Sequence, residues 1–139
     1  IKKYNFGEIT GIALSGEVAG SIKSLEKMPA NPVNYATSSF GQGISVTPIE
    51  MISAISAVAN KGILMRPYIV SKIVKGGDEY IKKSEKIRRV ISEETAAKIS
   101  AMMVSVVRNG SGKPAGVDGY NIAGKTGTAQ IPENGIYTN

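Results

Sequence analysis

Two stretches of the chain carry the apolar periodicity of helices, and the first is marked at both ends. It begins with Thr47-Pro48-Ile49-Glu50, where Thr47 and Glu50 form a capping box and Pro48 takes the first helical position. Asn60-Lys61-Gly62 supplies the stop. The spacing predicts a core helix whose apolar stripe comprises Ile49, Ile52, Ala54, Ile55, Val58 and Ala59.

The second helix is predicted to begin at Ser92, because the acids Glu93 and Glu94 follow it and the positive end of a helix favours acids. Arg108-Asn109-Gly110 is typical of a helix end. Methionines in this helix are interpreted as core filling rather than as ligands. Its predicted buried face comprises Ala96, Ile99, Met102, Met103, Val106 and Val107.

The remaining pattern predicts strands and loops. Alternating β-branched residues favour a strand from Pro67 to Lys75, and Gly76-Gly77-Asp78 predicts a turn into a second strand or irregular arm reaching Val90. Tyr120-Asn121-Ile122-Ala123 predicts a further extended run, and the glycines and prolines before Asn34 predict loops with short regular pieces. The order of loops, helix, hairpin, helix and strand indicates an α+β fold, with helices packed on an antiparallel sheet.

The amino-acid composition excludes several kinds of catalytic and metal-binding site. The chain has 139 residues, which fits one domain, and it contains no His, Cys or Trp. A Ser-His-Asp triad, a cysteine nucleophile and a thiolate or imidazole metal site are therefore excluded within it. Acid-base work falls to Lys, Asp, Glu or Tyr, which makes a lysine that loses its proton a candidate.

The net charge of +6 is concentrated in one segment, because Arg66 to Arg89 alone carries a balance of +5. One interpretation is an anion-binding patch for nucleic acid, membrane headgroups or wall polymer. The other is a solvated edge hairpin on which lysines discourage association between strands. The second is favoured, because the segment lacks the interleaved aromatic residues of a base-stacking surface.

The motif with the most groups suited to binding or catalysis is Ala123-Gly124-Lys125-Thr126-Gly127-Thr128-Ala129-Gln130. It combines one ammonium, two hydroxyls and glycines that let a substrate backbone or carboxylate approach closely. With Gly119 it also fits the phosphate-loop pattern G-x-x-x-x-G-K-[ST]. A phosphate loop leads into a helix, and Gly127, Pro132 and Gly135 prevent one here, so we reject that interpretation.

Lys125-Thr126-Gly127-Thr128, with its flanking residues, resembles the third active-site box of penicillin-binding transpeptidases, the family related to serine β-lactamases. Residues 39–48 and Ala59-Asn60-Lys61-Gly62 are similar to class B members, closest to the cell-division and sporulation type. The resemblance runs from about Phe6 to Tyr137, apart from the basic stretch from Lys75 to Arg89. It implies part of the β-lactamase/transpeptidase-like fold.

The family uses two further boxes, a Ser-x-x-Lys that supplies nucleophile and base, and a Ser-x-Asn. The chain has no Ser-x-Asn. Its one Ser-x-x-Lys, Ser24-Leu25-Glu26-Lys27, is polar and is cut short by Pro29 and Pro32, so Ser24 is interpreted as a surface residue. We therefore expect residues 1–139 to be an incomplete C-terminal portion of a transpeptidase domain, taken from the interior of a longer protein.

The resemblance assigns roles residue by residue. Lys125 and Thr128 are predicted to be catalytic, and Lys125, Thr126, Gly127 and Thr128 to bind substrate. Lys125 would place positive charge beside the substrate's terminal carboxylate, which the two threonine hydroxyls would also bind. The N–H of Thr128 would be one of two oxyanion-hole donors, and Gly127 would keep the segment open. Gly110-Ser111-Gly112 either approaches this site or simply ends a helix.

The implied function is that of a peptidoglycan D,D-transpeptidase, which cross-links stem peptides through a serine acyl-enzyme and binds β-lactam antibiotics. No cofactor, metal or nucleic acid is implied, and the isolated chain is expected to be inactive because it lacks the nucleophile. The expected location is the extracytoplasmic face of the bacterial cell membrane, with the anchor outside these residues and divisome or spore-cortex proteins as partners. The alternatives are a non-catalytic module that binds an anionic polymer, and a serine β-lactamase or penicillin sensor.

Overall fold

The structure is a computed structural model that describes residues 1–27, 31–127, 131–133 and 136–138, the last two ranges as backbone only. The chain divides into two compact units, each assembled from two separate stretches. The first unit is Ile1–Gly20 with Val46–Ile99, and the second is Ser21–Ser45 with Ser100–Asn139. None of the described helices combines the length and apolar character needed to cross a bilayer.

Helices and antiparallel strands occur in separate groups along the chain, which confirms the predicted α+β class. The described strands pair antiparallel, Ile63–Met65 with Lys86–Arg89, Lys72–Lys75 with Asp78–Ile81, and Ile131–Glu133 with Ile136–Thr138. The helices are α1 (Lys23–Glu26), α2 (Pro32–Ser38), α3 (Pro48–Ala59) and α4 (Glu93–Asn109), with 3₁₀ turns at Lys2–Tyr4 and Lys113–Ala115. The strands are β1 (Ile63–Met65), β2 (Lys72–Lys75), β3 (Asp78–Ile81), β4 (Lys86–Arg89), β5 (Ile131–Glu133) and β6 (Ile136–Thr138).

The core of the first unit lies where α3 meets the β1–β4 pair. Ala57 on α3 and Leu64 on β1 are each 1% exposed, and Val90, just after β4, joins them. Tyr4, Ile87 and Ile91 pack against this cluster. Burial of these apolar side chains is the main favourable term that holds the helix to the strands.

Helix α3 begins and ends at the predicted residues. Thr47 Oγ1 accepts the N–H of Glu50, and the Glu50 carboxylate accepts the N–H of Thr47 at 2.6 Å, so the capping box is complete. At the other end Lys61 has φ 55° and Gly62 has φ 81°. The Gly62 N–H donates to the Ala57 carbonyl at 2.8 Å, which is the bonding pattern of a Schellman end.

The predicted apolar stripe of α3 is partly wrong. Ala54 and Val58 are buried, but Ile52 is 61% exposed and Ile55 is 43% exposed. The buried positions are Glu50, Ala54, Ala57 and Val58, and Ala59 is exposed. Apolar residues occur on most sides of α3, so periodicity alone cannot select a face. The buried face combines Ala54, Ala57 and Val58 with Glu50, whose carboxylate is hydrogen-bonded to the backbone of Gly7 and Gly20.

The predicted strand from Pro67 is shorter than expected and begins at Lys72. It turns at Gly76-Gly77 into β3 as predicted, with Ile73 opposite Tyr80. The predicted arm beyond this turn divides into β3 and β4, and β4 pairs with β1 in the register Ile63↔Arg89. The pattern did not predict β1, because three residues are too few to show a period.

Helix α4 also begins as predicted, since Ser92 Oγ accepts the N–H of Thr95 at 3.0 Å. Ala96 and Val107 are buried, as expected, and Ile99, Met103 and Val106 are half-buried. Met102 is 65% exposed, so its assignment to the core was wrong. At 100° per residue Met102 lies about 120° around the helix from Ala96 and about 140° from Val107, well outside the stripe that those two residues define.

Candidate active site

The segment that carries Lys125 is held by the last turns of α4. Residues 121–127 form neither helix nor strand, so the predicted run from Tyr120 to Ala123 is not a strand. The Gly124 N–H donates to the Met103 carbonyl at 3.2 Å, and the Arg108 guanidinium donates to Asn121 Oδ1. A strand needs a paired neighbour, and here a helix carbonyl takes that place.

Lys125 is exposed, and its ammonium lies close to the next residue. Its Nζ donates to the Thr126 carbonyl at 2.8 Å and lies 3.5 Å from Thr126 Oγ1. Among the described residues no carboxylate lies within ion-pair distance of Lys125. Its positive charge is therefore not neutralised by a neighbour in the described part of the chain.

Thr126 and Gly127, which follow Lys125, belong to the described residues. Thr126 is half-buried, and a Cβ placed on Gly127 would meet no atom within 4 Å. Open space beside Gly127 is compatible with close approach of a ligand. Thr128 lies outside the described residues, so the roles of its hydroxyl and N–H stay predictions.

A glycine loop follows α4 and is fixed to its last turn. The N–H groups of Gly110 and Gly112 both donate to the Val106 carbonyl at 3.1 Å. A Cβ at Gly110 would lie 2.9 Å from the Val106 oxygen, and one at Gly112 would lie 3.0 Å from it. Both positions are therefore so close to the helix that a larger residue would displace the loop.

This loop and the Lys125 segment line one pocket of about 300 Å³. Its polar side chains belong to Ser111, Lys125 and Thr126, and the rest of the lining is apolar or glycine. Both predicted roles of Gly110-Ser111-Gly112 therefore apply, since the loop ends α4 and also borders the candidate site. The lining residues are Val107, Ser111, Gly112, Pro114, Ala115, Gly124, Lys125 and Thr126.

The sequence pattern did not assign Val107, Pro114 or Ala115 to a site. The two glycines directly after a helix end were the available signal, because such spacing marks a loop that stays close to the helix. The Lys125 segment faces that loop because Gly124 packs against Val107 on α4. A Cβ at Gly124 would be 3.2 Å from the Val107 Cγ2.

Ser24 does not have the environment of an activated nucleophile. Helix α1 around it has only four residues, and the Ser24 hydroxyl donates to the Gly43 carbonyl at 2.6 Å. Ser24 is half-buried, so it is less exposed than the predicted surface residue. The hydroxyl links α1 to the loop that contains Gly43.

The geometry also bears on the phosphate-loop pattern around Lys125 and on the basic segment from Arg66 to Arg89. Gly127 is not helical and the next described element is β5, so the described residues after Lys125 contain no helix to complete a phosphate loop. The basic segment contains the exposed β2–β3 hairpin, in which Lys72 Nζ is paired with Glu79 at 2.7 Å, and it ends with β4, which pairs with β1. In the described residues no group of three acidic side chains could hold a metal ion.

Known proteins resemble this chain in sequence and in fold. Residues 1–139 match the family described as "Penicillin binding protein transpeptidase domain" along their whole length, and the chain belongs to this family. It is 45% identical over 140 residues to Stage V sporulation protein D of Bacillus subtilis (strain 168), covering 99% of this chain and 21% of that protein. The predicted resemblance to class B penicillin-binding proteins, which rested on residues 39–48 and Ala59-Asn60-Lys61-Gly62 beside the Lys125-Thr126-Gly127-Thr128 box, is confirmed.

Solved structures agree with this assignment. Penicillin binding protein 3 from Mycobacterium tuberculosis in its apo form is 32% identical with a TM-score of 0.89, covering 99% of this chain and 33% of that one. Its complex with ampicillin is 33% identical with a TM-score of 0.88, covering 99% and 32%. The chain therefore spans about a fifth of the B. subtilis relative and about a third of the crystallised protein.

Proposed function

We propose that this chain forms the carboxylate-binding part of a serine D,D-transpeptidase that cross-links peptidoglycan stem peptides and is acylated by β-lactams. The observation that carries the proposal is the pocket in which Lys125 lies beside the half-buried Thr126. Among the described residues no carboxylate forms an ion pair with Lys125. An ammonium and a hydroxyl side by side suit an anionic group of a substrate. A transpeptidase family match over the whole chain supports this choice of substrate.

The proposed reaction is nucleophilic acyl transfer. A serine hydroxyl from the part of the protein outside this chain attacks the carbonyl carbon of the penultimate D-alanine. The peptide C–N bond breaks, and the terminal D-alanine leaves with the proton that the serine gave up to a lysine base. An amine of a neighbouring stem peptide then attacks the serine ester, which forms the cross-link and restores the hydroxyl.

In this reaction the residues of the chain bind and orient. Lys125 and the Thr126 hydroxyl hold the terminal carboxylate of the stem peptide, or the equivalent carboxylate of a β-lactam. Gly127 leaves room for the ligand backbone, since a Cβ there would meet nothing within 4 Å. The Thr128 N–H would donate to the oxyanion, a contact of the kind that contributes about 10²–10³ in rate.

The proposed cellular location of the parent protein follows from its proposed substrate. Peptidoglycan lies outside the cytoplasm, so the parent protein would act at the extracytoplasmic face of the bacterial membrane, held by an anchor elsewhere in its sequence. Divisome or spore-cortex proteins are the proposed partners of that parent. The ampicillin complex of the M. tuberculosis relative supports β-lactams as ligands of the same site.

Replacement of Lys125 by alanine in the full-length protein tests the proposal. We expect acylation by a fluorescent penicillin to slow about 100-fold or more, because the charge that holds the carboxylate in position for attack is lost. Lys83→Ala is the matched control, since Lys83 is exposed and outside the pocket. Equal acylation rates for the Lys125 and Lys83 variants would mean that this segment is not the carboxylate site.

A further inference from the structure

We propose that Ser111 is a third substrate-contacting residue, whose hydroxyl donates a hydrogen bond to the same carboxylate that Lys125 and Thr126 bind. This inference rests on the proposed function and deepens it. Ser111 lines the pocket with those two residues although it is separated from them in sequence. Neither the Lys-Thr-Gly motif nor the family match assigns it a role.

The Ser111 hydroxyl is available for a ligand. The side chain is exposed, and in the described part of the chain its hydroxyl makes no hydrogen bond to another residue. This contrasts with Ser24 and Ser92, whose hydroxyls bond to the Gly43 carbonyl and to the Thr95 N–H. A free hydroxyl on a pocket wall can turn its proton toward an anion without breaking an existing bond.

The loop is placed firmly enough to orient that hydroxyl. Gly110 and Gly112 flank Ser111 on both sides, and each donates its N–H to the Val106 carbonyl at 3.1 Å. The Cα of Val107 would lie 3.2 Å from a Cβ on Gly112, so the backbone already touches the helix. Preorganisation of this kind reduces the entropy that ligand binding would otherwise cost.

The electrostatics of the helix end also permit an anion here. The C-terminal end of a helix carries partial negative charge on its free carbonyls, which disfavours a carboxylate. Two N–H groups of the glycine loop occupy the Val106 carbonyl, and Lys125 adds a full positive charge to the same pocket. The site therefore presents donors and a cation to the ligand.

The test compares benzylpenicillin with its methyl ester, in which the carboxylate is masked, on the full-length protein. Ser111→Ala should slow acylation by the free acid about tenfold, the effect of losing one hydrogen bond to a charged group, and should leave the rate with the ester nearly unchanged. Ser111→Thr keeps the hydroxyl and should retain the rate with the free acid. Ser84→Ala, an exposed serine outside the pocket, is the control.

Lys125→Ala, measured in parallel, separates this inference from the proposed function. If Lys125→Ala loses the preference for the free acid while Ser111→Ala keeps it, the inference about Ser111 is wrong and the carboxylate site stands. If neither variant loses that preference, both fail. Equal slowing of acid and ester by Ser111→Ala would assign Ser111 a purely structural role and would also overturn the inference.

Discussion

Glu50 is a carboxylate with only 1% of its surface exposed, and backbone N–H groups surround it. It accepts hydrogen bonds from Gly7 at 2.9 Å, from Gly20 at 3.1 Å and from Thr47 at 2.6 Å. Burial alone raises the pKa of Glu50, but the bonds from Thr47, Gly20 and Gly7 outweigh it, so the pKa lies below its ordinary value of 4.5. One side chain thus caps α3 and holds two loops.

Glu50→Gln should destabilise the protein by about 3 kcal/mol near neutral pH, because an amide nitrogen would then face donors and at least two charge-assisted bonds would weaken. Chemical denaturation of the two proteins at pH 7 measures this difference. Glu79→Gln is a control of the same chemistry on the surface, where its pair with Lys72 is exposed and contributes little.

The same replacement should change the pH dependence of stability. A carboxyl whose folded pKa is lowered contributes its full stabilisation above its unfolded value, near 4.5, and loses it as pH falls through the folded pKa. The stability gap between wild type and Glu50→Gln should therefore narrow as pH falls below 4.5. A gap that stayed constant down to pH 3 would contradict the lowered pKa of Glu50.

Glu17 has a similar environment in the loop before Gly20. Its carboxylate accepts from the Thr10 hydroxyl and the Thr10 N–H, both at 2.6 Å, and from the Gly11 N–H at 3.0 Å. The hydrogen bond from the Thr10 hydroxyl is the largest cause of a lowered pKa for Glu17. The glycine-rich segment before Gly20 contains no long helix or strand, and hydrogen bonds from its backbone N–H groups to the carboxylates of Glu17 and Glu50 hold it in place.

At the scale of elements, the end of α3 shows how one glycine joins a helix to a strand. Gly62 has φ 81°, and a Cβ on it would lie 2.2 Å from the Ile91 carbonyl oxygen. Its own carbonyl accepts the N–H of Val90 at 2.8 Å. Backbone conformation and close packing therefore both require glycine at this position.

Gly62→Ala and Gly77→Ala form a matched pair that separates these two requirements. Gly77 has φ 92°, but a Cβ there would meet nothing within 4 Å, so its replacement should cost only the left-handed conformation, about 1–2 kcal/mol. Gly62→Ala should cost clearly more, because Ile91 must also move. Denaturation midpoints of the two variants check this, and equal losses would show that the contact with Ile91 carries no weight.

At the scale of the whole molecule, the described residues hold the pocket proposed to bind the carboxylate, and no activated nucleophile is found among them. The Ser24 hydroxyl is bonded to the Gly43 carbonyl, and neither the sequence nor α1 offers a buried Ser-x-x-Lys helix. Ile52 at 61% and Ile55 at 43% exposed also leave apolar surface on α3. Such surface is typical of a face that packs against further protein.

We therefore expect the isolated 139-residue chain not to be acylated by a fluorescent penicillin that labels the full-length protein. Gel fluorescence with equal amounts of both proteins measures this. Stoichiometric labelling of the isolated chain that disappears in Ser24→Ala would refute the assignment of the nucleophile to the rest of the protein. Sedimentation should show self-association of the isolated chain through its exposed apolar side chains, whereas a strictly monomeric chain would contradict that expectation.

Local interactions are the part of this protein that its sequence determined by itself. The capping box of Thr47 and Glu50, the stop at Lys61 and Gly62 and the cap at Ser92 join residues at most a few positions apart, so residue type and spacing suffice to predict them. The family could be recognised for the same reason, because Lys125-Thr126-Gly127-Thr128 is contiguous. The hairpin turn at Gly76-Gly77 belongs to this class as well.

Only the tertiary structure decided the contacts between distant residues. Glu50 bonds to Gly7 across 43 positions, β1 pairs with β4, and the pocket brings Ser111 to Lys125. The tertiary structure also decided which side of α3 is buried. Apolar residues lie on most sides of this helix, so their spacing does not predict the buried side. These outcomes depend on which surfaces the folded backbone brings within contact distance, and no short stretch of sequence contains that information.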